Sequence, residues 1–245
     1  MKKLTLKAAR KAAGVMLTIM LSFVVALCFF PEKTVYLSGK ESYSPYYSGR
    51  VDKNGVALMF NVYEGGEIVS GILDLLKEKG VKATFFVGGC WADDNTEILK
   101  RIVSEGHLIA NHGYFHKDGK KLDKAGNLSE IENCHKVVEA LTGFKMKYFA
   151  PPSGSYSIET LKAAESLGYK TVMWSVDTID WRDKDENKVY DRATKKATSG
   201  AFILMHPKKH TLKALPKIID FYKEKGFGFL TVAELLEDDT NKNTR

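Results

Sequence analysis

The sequence predicts an α/β fold built on a parallel sheet. From Val51 onward, short apolar runs alternate with amphipathic helical segments about seven times. The histidines, acids and Gly-Pro turns that could carry chemistry fall just after those apolar runs. A closed barrel and an open doubly wound sheet share this alternation, and both place chemistry at the C-terminal ends of their strands.

Each element has a local reason. Val56–Val62 and Val81–Val87 are apolar runs rich in Val, Phe and Leu, which reads as strand. The helical pattern of Glu67–Lys79 lies between them and is closed by Gly80. Ile98, Ile102 and Val103 recur at helical spacing, giving a helix over Asp94–Ser104, followed by a short strand at His107–Asn111. A helix over Leu128–Leu141 ends near Gly143, a strand follows at Tyr148–Ala150, and a helix over Ile158–Leu167 stops at Gly168. Strands at Lys170–Ser175, Ala201–Met205 and Gly228–Thr231 alternate with helices near Glu186–Thr198, Thr211–Lys225 and Val232–Glu237. This organisation predicts one domain over residues 51–237, a stalk over 31–50 rich in Ser, Tyr, Gly and Lys, and a polar tail over 238–245.

Charge excludes one class of partner. The chain of 245 residues has a formal net charge of +7. Lys2, Lys3, Lys7, Arg10 and Lys11 supply +5 of it with no acid before residue 31. The rest carries 32 basic and 30 acidic side chains, so the folded part lacks the basic face that nucleic acid requires. The basic start leads into an uncharged run from Ala12 to Phe30, whose 19 residues would span about 28 Å as a helix. The run ends in bulky residues rather than a small-x-small cleavage site, so residues 1–30 read as a signal anchor, with a cleaved signal peptide as the alternative. Basic residues stay on the cytoplasmic side, which makes the rest of the chain extracytoplasmic, membrane-anchored, or secreted if cleaved. Cys90 and Cys134 have no framework spacing and read as small semi-buried residues rather than a disulfide. Nothing in the sequence specifies an oligomeric state.

Five constellations sit at strand ends: Asn61-Val62-Tyr63-Glu64-Gly65-Gly66, Asn111-His112-Gly113-Tyr114-Phe115-His116, Ala150-Pro151-Pro152-Ser153-Gly154, Asp177-Thr178-Ile179-Asp180-Trp181 and Leu204-Met205-His206-Pro207. His112 and His116 are spaced to point two imidazoles at one cation, or to be two ordinary surface histidines. His206 emerges from an apolar strand where a side chain can move protons at neutral pH, and Asp177 or Asp180 could orient it. The Pro151-Pro152-Ser153-Gly154 turn could aim a backbone N–H at an oxyanion, or be merely a turn. Gly-x-Ser-x-Gly, Gly-x-x-x-x-Gly-Lys and Gly-x-Gly-x-x-Gly are all absent. His107 and His210 read as structural or surface residues.

Taken in order over about residues 50–237, these segments resemble the polysaccharide deacetylase family, the NodB-homology domain of carbohydrate esterase family 4. Within it they resemble the PdaB-like sporulation-type branch. His-Gly-Tyr-Phe-His, and Asp-Thr-Ile-Asp-Trp followed by Leu-Met-His, carry the resemblance. It implies a distorted, incomplete (β/α) barrel of about seven strands. It also implies a hydrolase that removes N-acetyl groups from N-acetylglucosamine or N-acetylmuramic acid of cell-wall polysaccharide, with a divalent metal such as zinc. By position, His112 and His116 match the metal-binding histidines, and His206 the general acid that protonates the leaving amine. Asp180 matches the aspartate that tunes that acid, and Trp181 the adjacent pocket wall. Ser153 matches the residue whose N–H meets the oxyanion, and Tyr114 is a further substrate-contacting candidate.

The family's Thr-Phe-Asp-Asp-Gly motif aligns with Met59-Phe60-Asn61-Val62-Tyr63. Asn61 therefore stands in place of the base, Val62 in place of a metal ligand, and Ala150 in place of the arginine that pairs with the base. Two readings follow. In one, the enzyme uses a rearranged site, with Asn61 as a third metal ligand and Glu64, Glu67 or Asp177 as base. In the other, the domain is a non-catalytic glycan-binding or envelope scaffold protein, with Tyr63, Tyr114, Phe115, Tyr156 and Trp181 available to stack on sugar faces.

Overall fold

The computed structural model describes residues 43–237, together with Met16 and Met20 in a helix before them. The predicted anchor, the first part of the predicted stalk and the polar tail lie outside these residues. Among the described residues no helix is long and apolar enough to cross a membrane.

Seven parallel strands form a curved sheet. They are β1 (Gly55–Val62), β2 (Thr84–Val87), β3 (Leu108–Asn111), β4 (Tyr148–Phe149), β5 (Lys170–Thr171), β6 (Val176–Asp177) and β7 (Phe202–Met205). Their order is β5-β4-β3-β2-β1-β7-β6, and β8 (Gly228–Phe229) adds to the first two residues of β1. Sequence order is thus circular, as in a barrel, with the seam left open between β5 and β6. Among the described residues from Tyr43 onward, eight α-helices pack with it: α1 (Gly66–Lys79), α2 (Gly89–Asp94), α3 (Thr96–Ser104), α4 (Lys124–Thr142), α5 (Ile158–Ser166), α6 (Glu186–Thr194), α7 (Lys209–Glu224) and α8 (Val232–Leu236).

Alternation along β1 sorts its side chains into two cores. Val56, Leu58, Phe60 and Val62 join Ile72, Leu76 and Ile219 in the layer under the helices. Ala57 and Met59 point inward with Phe86, Ala110, Tyr148, Ala150, Val172 and Phe202. Val232 and Leu235 of α8 close that inner core at the N-terminal ends of the strands, where the Val232 N–H donates to Thr84 Oγ1 (3.0 Å). Both faces of β1 are buried, which is why the strand reads as a continuous apolar run rather than an alternating one. At its C-terminal end the inner position is taken by Asn61, and there the hydrocarbon core gives way to a cleft.

Three predicted elements differ. The helix expected over Asp94–Ser104 is preceded by a separate one, α2, because Asn95 leaves helical geometry (φ −128°, ψ 42°) while its amide caps Trp91 O at 2.9 Å. The strand expected over Lys170–Ser175 divides: β5 ends at Thr171, the chain crosses the open seam, and β6 pairs with β7 on the opposite edge. The stalk expected over residues 31–50 is docked in its last part. The Tyr46 N–H donates to Thr171 O (2.9 Å), Gly49 to Gly200 O (2.8 Å) and Arg50 to Leu235 O (2.9 Å). Residues 46–50 thereby occupy the mouth of the seam, and the compact unit starts at Tyr43. Unpaired edge groups of β5 draw these residues in, a long-range pairing that a polar, aperiodic sequence does not announce. Cys90 and Cys134 are both free, and Cys134 Sγ donates to Val87 O at 3.3 Å.

Candidate functional site

A cleft of about 390 Å³ opens at the C-terminal ends of the strands. Its wall is supplied by Asn61, Tyr63 and Glu64 after β1, His112 and His116 after β3, and Ser153 after β4. Asp177 ends β6, with Trp174 before and Trp181 after that strand, and Leu204 of β7 is followed by His206, Pro207 and Lys208.

On the β6–β7 side a buried carboxylate has both of its oxygens partnered. Asp180 is buried, and its Oδ1 lies 2.7 Å from His206 Nδ1. Its Oδ2 accepts from the His206 N–H (2.7 Å) and from Thr211 Oγ1 (2.6 Å). Burial alone would push this carboxyl upward, but the His206 imidazole, the Thr211 hydroxyl and the His206 N–H outweigh it and hold Asp180 below its ordinary pKa. An ionised carboxylate only accepts, so His206 Nδ1 carries a proton and Nε2 is the nitrogen free for proton transfer in the cleft. The peptide carrying Asp180 is fixed as well: His210 Nε2 donates to Asp180 O at 2.7 Å, and the Ile179 N–H donates to Asp177 Oδ1 at 2.8 Å. Ile179 itself sits at φ 52°, a left-handed conformation that a β-branched side chain resists.

The opposite side is held together but carries little charge. His112 Nδ1 donates to Ala150 O (2.8 Å), and its ring meets that of His116 edge-on, with centroids 5.0 Å apart. Burial and then the neighbouring His116 push the His112 pKa down to about 3. Burial, followed by the charge of His206, lowers that of His116 as well, so both imidazoles are neutral at physiological pH. The loop carrying them is braced from behind. Asn111 donates to Ile131 O (2.8 Å) and accepts from the Gly113 N–H (2.9 Å), while Glu130 of α4 accepts from the Phe115 N–H at 2.9 Å. His116 lies at φ 57° in this tight loop. Asn61 is 4% exposed, and its Oδ1 has no hydrogen-bond partner. Val62 is fully buried in the outer core, and Ala150 contributes only backbone to this site.

The structure therefore brings His112, His116, Asn61, Ser153, Trp181 and His206 around one cleft, with Asp180 directly behind His206. Tyr114 is not among the lining residues: its ring packs on Gly89 and its hydroxyl donates to Asp93 Oδ2 (2.8 Å). Of the alternative bases, Glu64 lines the cleft but is ion-paired with Lys208, and Asp177 lines it while accepting from Ile179. Glu67 is exposed at the start of α1, outside the cleft. Asn111, first residue of the constellation with His112 and His116, braces their loop, while Glu130, Thr211 and His210 position the site and carry no sequence motif. Glu130 and Thr211 do fall on the buried faces of their helices, where a polar residue invites the question of what it holds.

The donor set does not fit the divalent metal expected on His112, His116 and Asn61. A catalytic zinc takes three protein ligands, commonly with a carboxylate among them. Here there are two neutral imidazoles and an amide, and among the described residues no group of three His, Cys, Asp or Glu side chains converges. Val62 cannot complete the set.

This half-barrel, with a histidine pair after β3 and an Asp–His pair whose members follow β6 and β7, is that of the polysaccharide deacetylase family. Residues 48–172 match that family, and the chain belongs to it. It is 35% identical over 202 residues to a peptidoglycan-N-acetylglucosamine deacetylase of Bacillus cereus, covering 80% of this chain and 74% of that one. It is 39% identical over 194 residues to the uncharacterized protein YlxY of Bacillus subtilis, covering 79% of this chain and 61% of YlxY. Among solved structures it resembles a carbohydrate esterase family 4 pseudoenzyme of Bacillus anthracis, with a TM-score of 0.77 and 38% identity over 80% of this chain and 70% of that one. A mutant of that pseudoenzyme with restored enzymatic activity superposes equally well, with a TM-score of 0.77 and 36% identity over 80% of this chain and 72% of the mutant.

Proposed function

We propose that this domain binds peptidoglycan-type glycan in the family cleft without hydrolysing its N-acetyl groups. The observation that carries the reading is Asn61. At the position of the family's base stands a buried amide with an unpartnered oxygen, and an amide accepts no proton at neutral pH. The carboxylates that line the cleft are committed, Glu64 to Lys208 and Asp177 to the Ile179 N–H. The aromatic wall of Tyr63, Trp174 and Trp181 supplies flat apolar faces for sugar rings. The similar pseudoenzyme of Bacillus anthracis supports the same reading. On this reading the domain lies outside the cell, held at the membrane through residues 1–30, where its polysaccharide ligand is found.

A second reading, slow hydrolysis through a rearranged site, is favoured by one observation: the His206–Asp180 pair is intact and its Nε2 is available. Loss of a general base costs roughly 10²–10⁴-fold rather than abolishing a reaction. The experiment measures acetate release from peptidoglycan and N-acetylglucosamine oligomers by the full chain, with chelator and after loading with zinc, cobalt or nickel, alongside sedimentation with insoluble peptidoglycan. Binding without release under every condition is the expected result. Metal-dependent release that disappears in His112→Ala and His206→Ala would replace the proposal with the second reading. The double variant Asn61→Asp, Val62→Asp, which returns both carboxylates, is expected to gain metal-dependent release.

A further inference from the structure

The side chains at the ends of β1 and β3 bring lone pairs to one part of the cleft, while the donors of the lining, Ser153, Trp174, Trp181 and Lys208, come from other elements, and this says which form of sugar it holds. The Ala150 carbonyl can only accept, so the His112 proton is on Nδ1 and the lone pair is on Nε2, in a ring that lines the cleft. His116 stands beside it, edge-on at 5.0 Å. Asn61 brings an amide oxygen with no partner, and no protein hydrogen bond to that oxygen opposes its turning toward a ligand. The charge of the lining points the same way. Glu64 and Asp177 face a single ammonium, Lys208, with the buried Asp180 carboxylate behind His206.

Such a surface suits a group with several N–H donors and a single positive charge. A divalent ion needs at least three converging ligands, and among the described residues no three His, Cys, Asp or Glu side chains converge. An ammonium needs only lone pairs, and it also gains from the faces of Tyr63, Trp174 and Trp181. An acetamide offers one N–H and asks for a donor to its carbonyl, so it leaves acceptors of this lining unmatched. Building on the glycan-binding reading, we infer that the cleft binds the free amine of a de-N-acetylated amino sugar, a glucosamine-type residue, in preference to the N-acetylated one. The amine nitrogen is held among Asn61, His112 and His116. The reaction class that must supply this ligand is hydrolysis of the sugar's N-acetyl amide.

The test is calorimetric titration of the full chain, in chelator, with glucosamine and N-acetylglucosamine oligomers of equal length. The amine form is expected to bind about 10–100-fold more tightly, the worth of one or two hydrogen bonds to a charged group. Asn61→Leu is expected to bring the ratio of the two affinities toward one, and Asn61→Asp, nearly the same in size, to raise it. Equal affinities, or a preference for the N-acetylated oligomer, would overturn the inference and leave glycan binding standing. A preference that both variants leave untouched, or that appears only when zinc is added, would also overturn it. Binding of neither oligomer would overturn the glycan-binding reading as well.

Discussion

The two walls of the cleft are built on opposite principles. On the β6–β7 wall a buried carboxylate survives because each of its oxygens is matched: Asp180 meets His206 twice and Thr211 once. On the β1–β4 wall the buried and half-buried side chains that face the cleft are uncharged, a neutral imidazole pair and an amide whose oxygen has no partner. The carboxylates nearby are engaged elsewhere, Glu64 by Lys208 and Glu130 by the Phe115 N–H. A buried ion pair is costly to break from one end, because the remaining charge is then unpaired. On the proposed reading Asn61 and Ala150 stand together in place of a carboxylate and its arginine, and one amide oxygen is left without a partner. On that reading the contrast is physical: charges that depend only on each other can be absent together, whereas a hydrogen-bonded knot that also fixes backbone stays.

The largest predicted effect breaks the first wall. Asp180→Asn keeps the volume but puts an amide where three groups need an acceptor, and should lower stability by about 3 kcal/mol in urea unfolding at pH 7. Because the folded Asp180 is held below its ordinary pKa, its contribution is complete above the unfolded value, near 4, and is lost as pH falls through the folded one. The gap between wild type and Asp180→Asn should therefore close in acid. A gap below about 1 kcal/mol at pH 7 would show that the carboxylate network does not hold this wall.

Acid separates the walls in a second way. His112 is neutral in the fold down to about pH 3 but takes up its proton in the unfolded chain below about 6.5. The unfolded state therefore binds the extra proton between those values, and stability falls with pH at up to about 1.4 kcal/mol per unit from this residue alone. His112→Asn, whose amide can still donate to Ala150 O, should flatten the stability profile between pH 6 and 4, a window above the one Asp180 controls. An unchanged slope would mean that the imidazole is hydrated and titrates normally.

Asn61→Leu is expected to act in the reverse direction. Removing a buried oxygen without a partner, at similar volume, should stabilise the domain by about 1 kcal/mol in the same unfolding measurement. Substitution of Asp180 and of Asn61, two buried polar residues of one cleft, would then give opposite signs.

The sequence made the two walls unequally legible. The His112/His116 spacing and the acid–histidine grouping of Asp180 with His206 stand at the ends of apolar runs, so position along a strand was enough to collect them. The inward or outward aim of residues 61 and 62 followed only once β1 was seen to be buried on both faces, because period-two alternation is invisible where every position is apolar. Tyr114 was drawn into the predicted site by its place between two histidines, yet the tight loop with His116 at positive φ turns it away to Asp93. Glu130 and Asn111 act through backbone groups and Thr211 through the Asp180 carboxylate, all across the fold, and such contacts leave no motif. The docking of residues 46–50 over the β5–β6 seam was unreadable for the same reason.

The smallest predicted effect tests how the intact wall is held in place. Ile179 is bent into the left-handed region so that the next residue, Asp180, points back under His206. The bend is clamped by the Ile179 N–H on Asp177 and by the Arg182 and Asp183 N–H groups on Ile179 O, at 3.2 and 3.0 Å. A β-branched residue raises the energy of this turn by about 1–2 kcal/mol, and its half-buried side chain returns only part of that. Ile179→Asn, a residue that accepts the left-handed region, should therefore raise stability by about 0.5 kcal/mol. The Asp180–His206 contact should remain, visible as an unchanged downfield Nδ1–H proton signal. A loss of more than about 1 kcal/mol would mean that the isoleucine side chain, rather than the three backbone hydrogen bonds, fixes the turn.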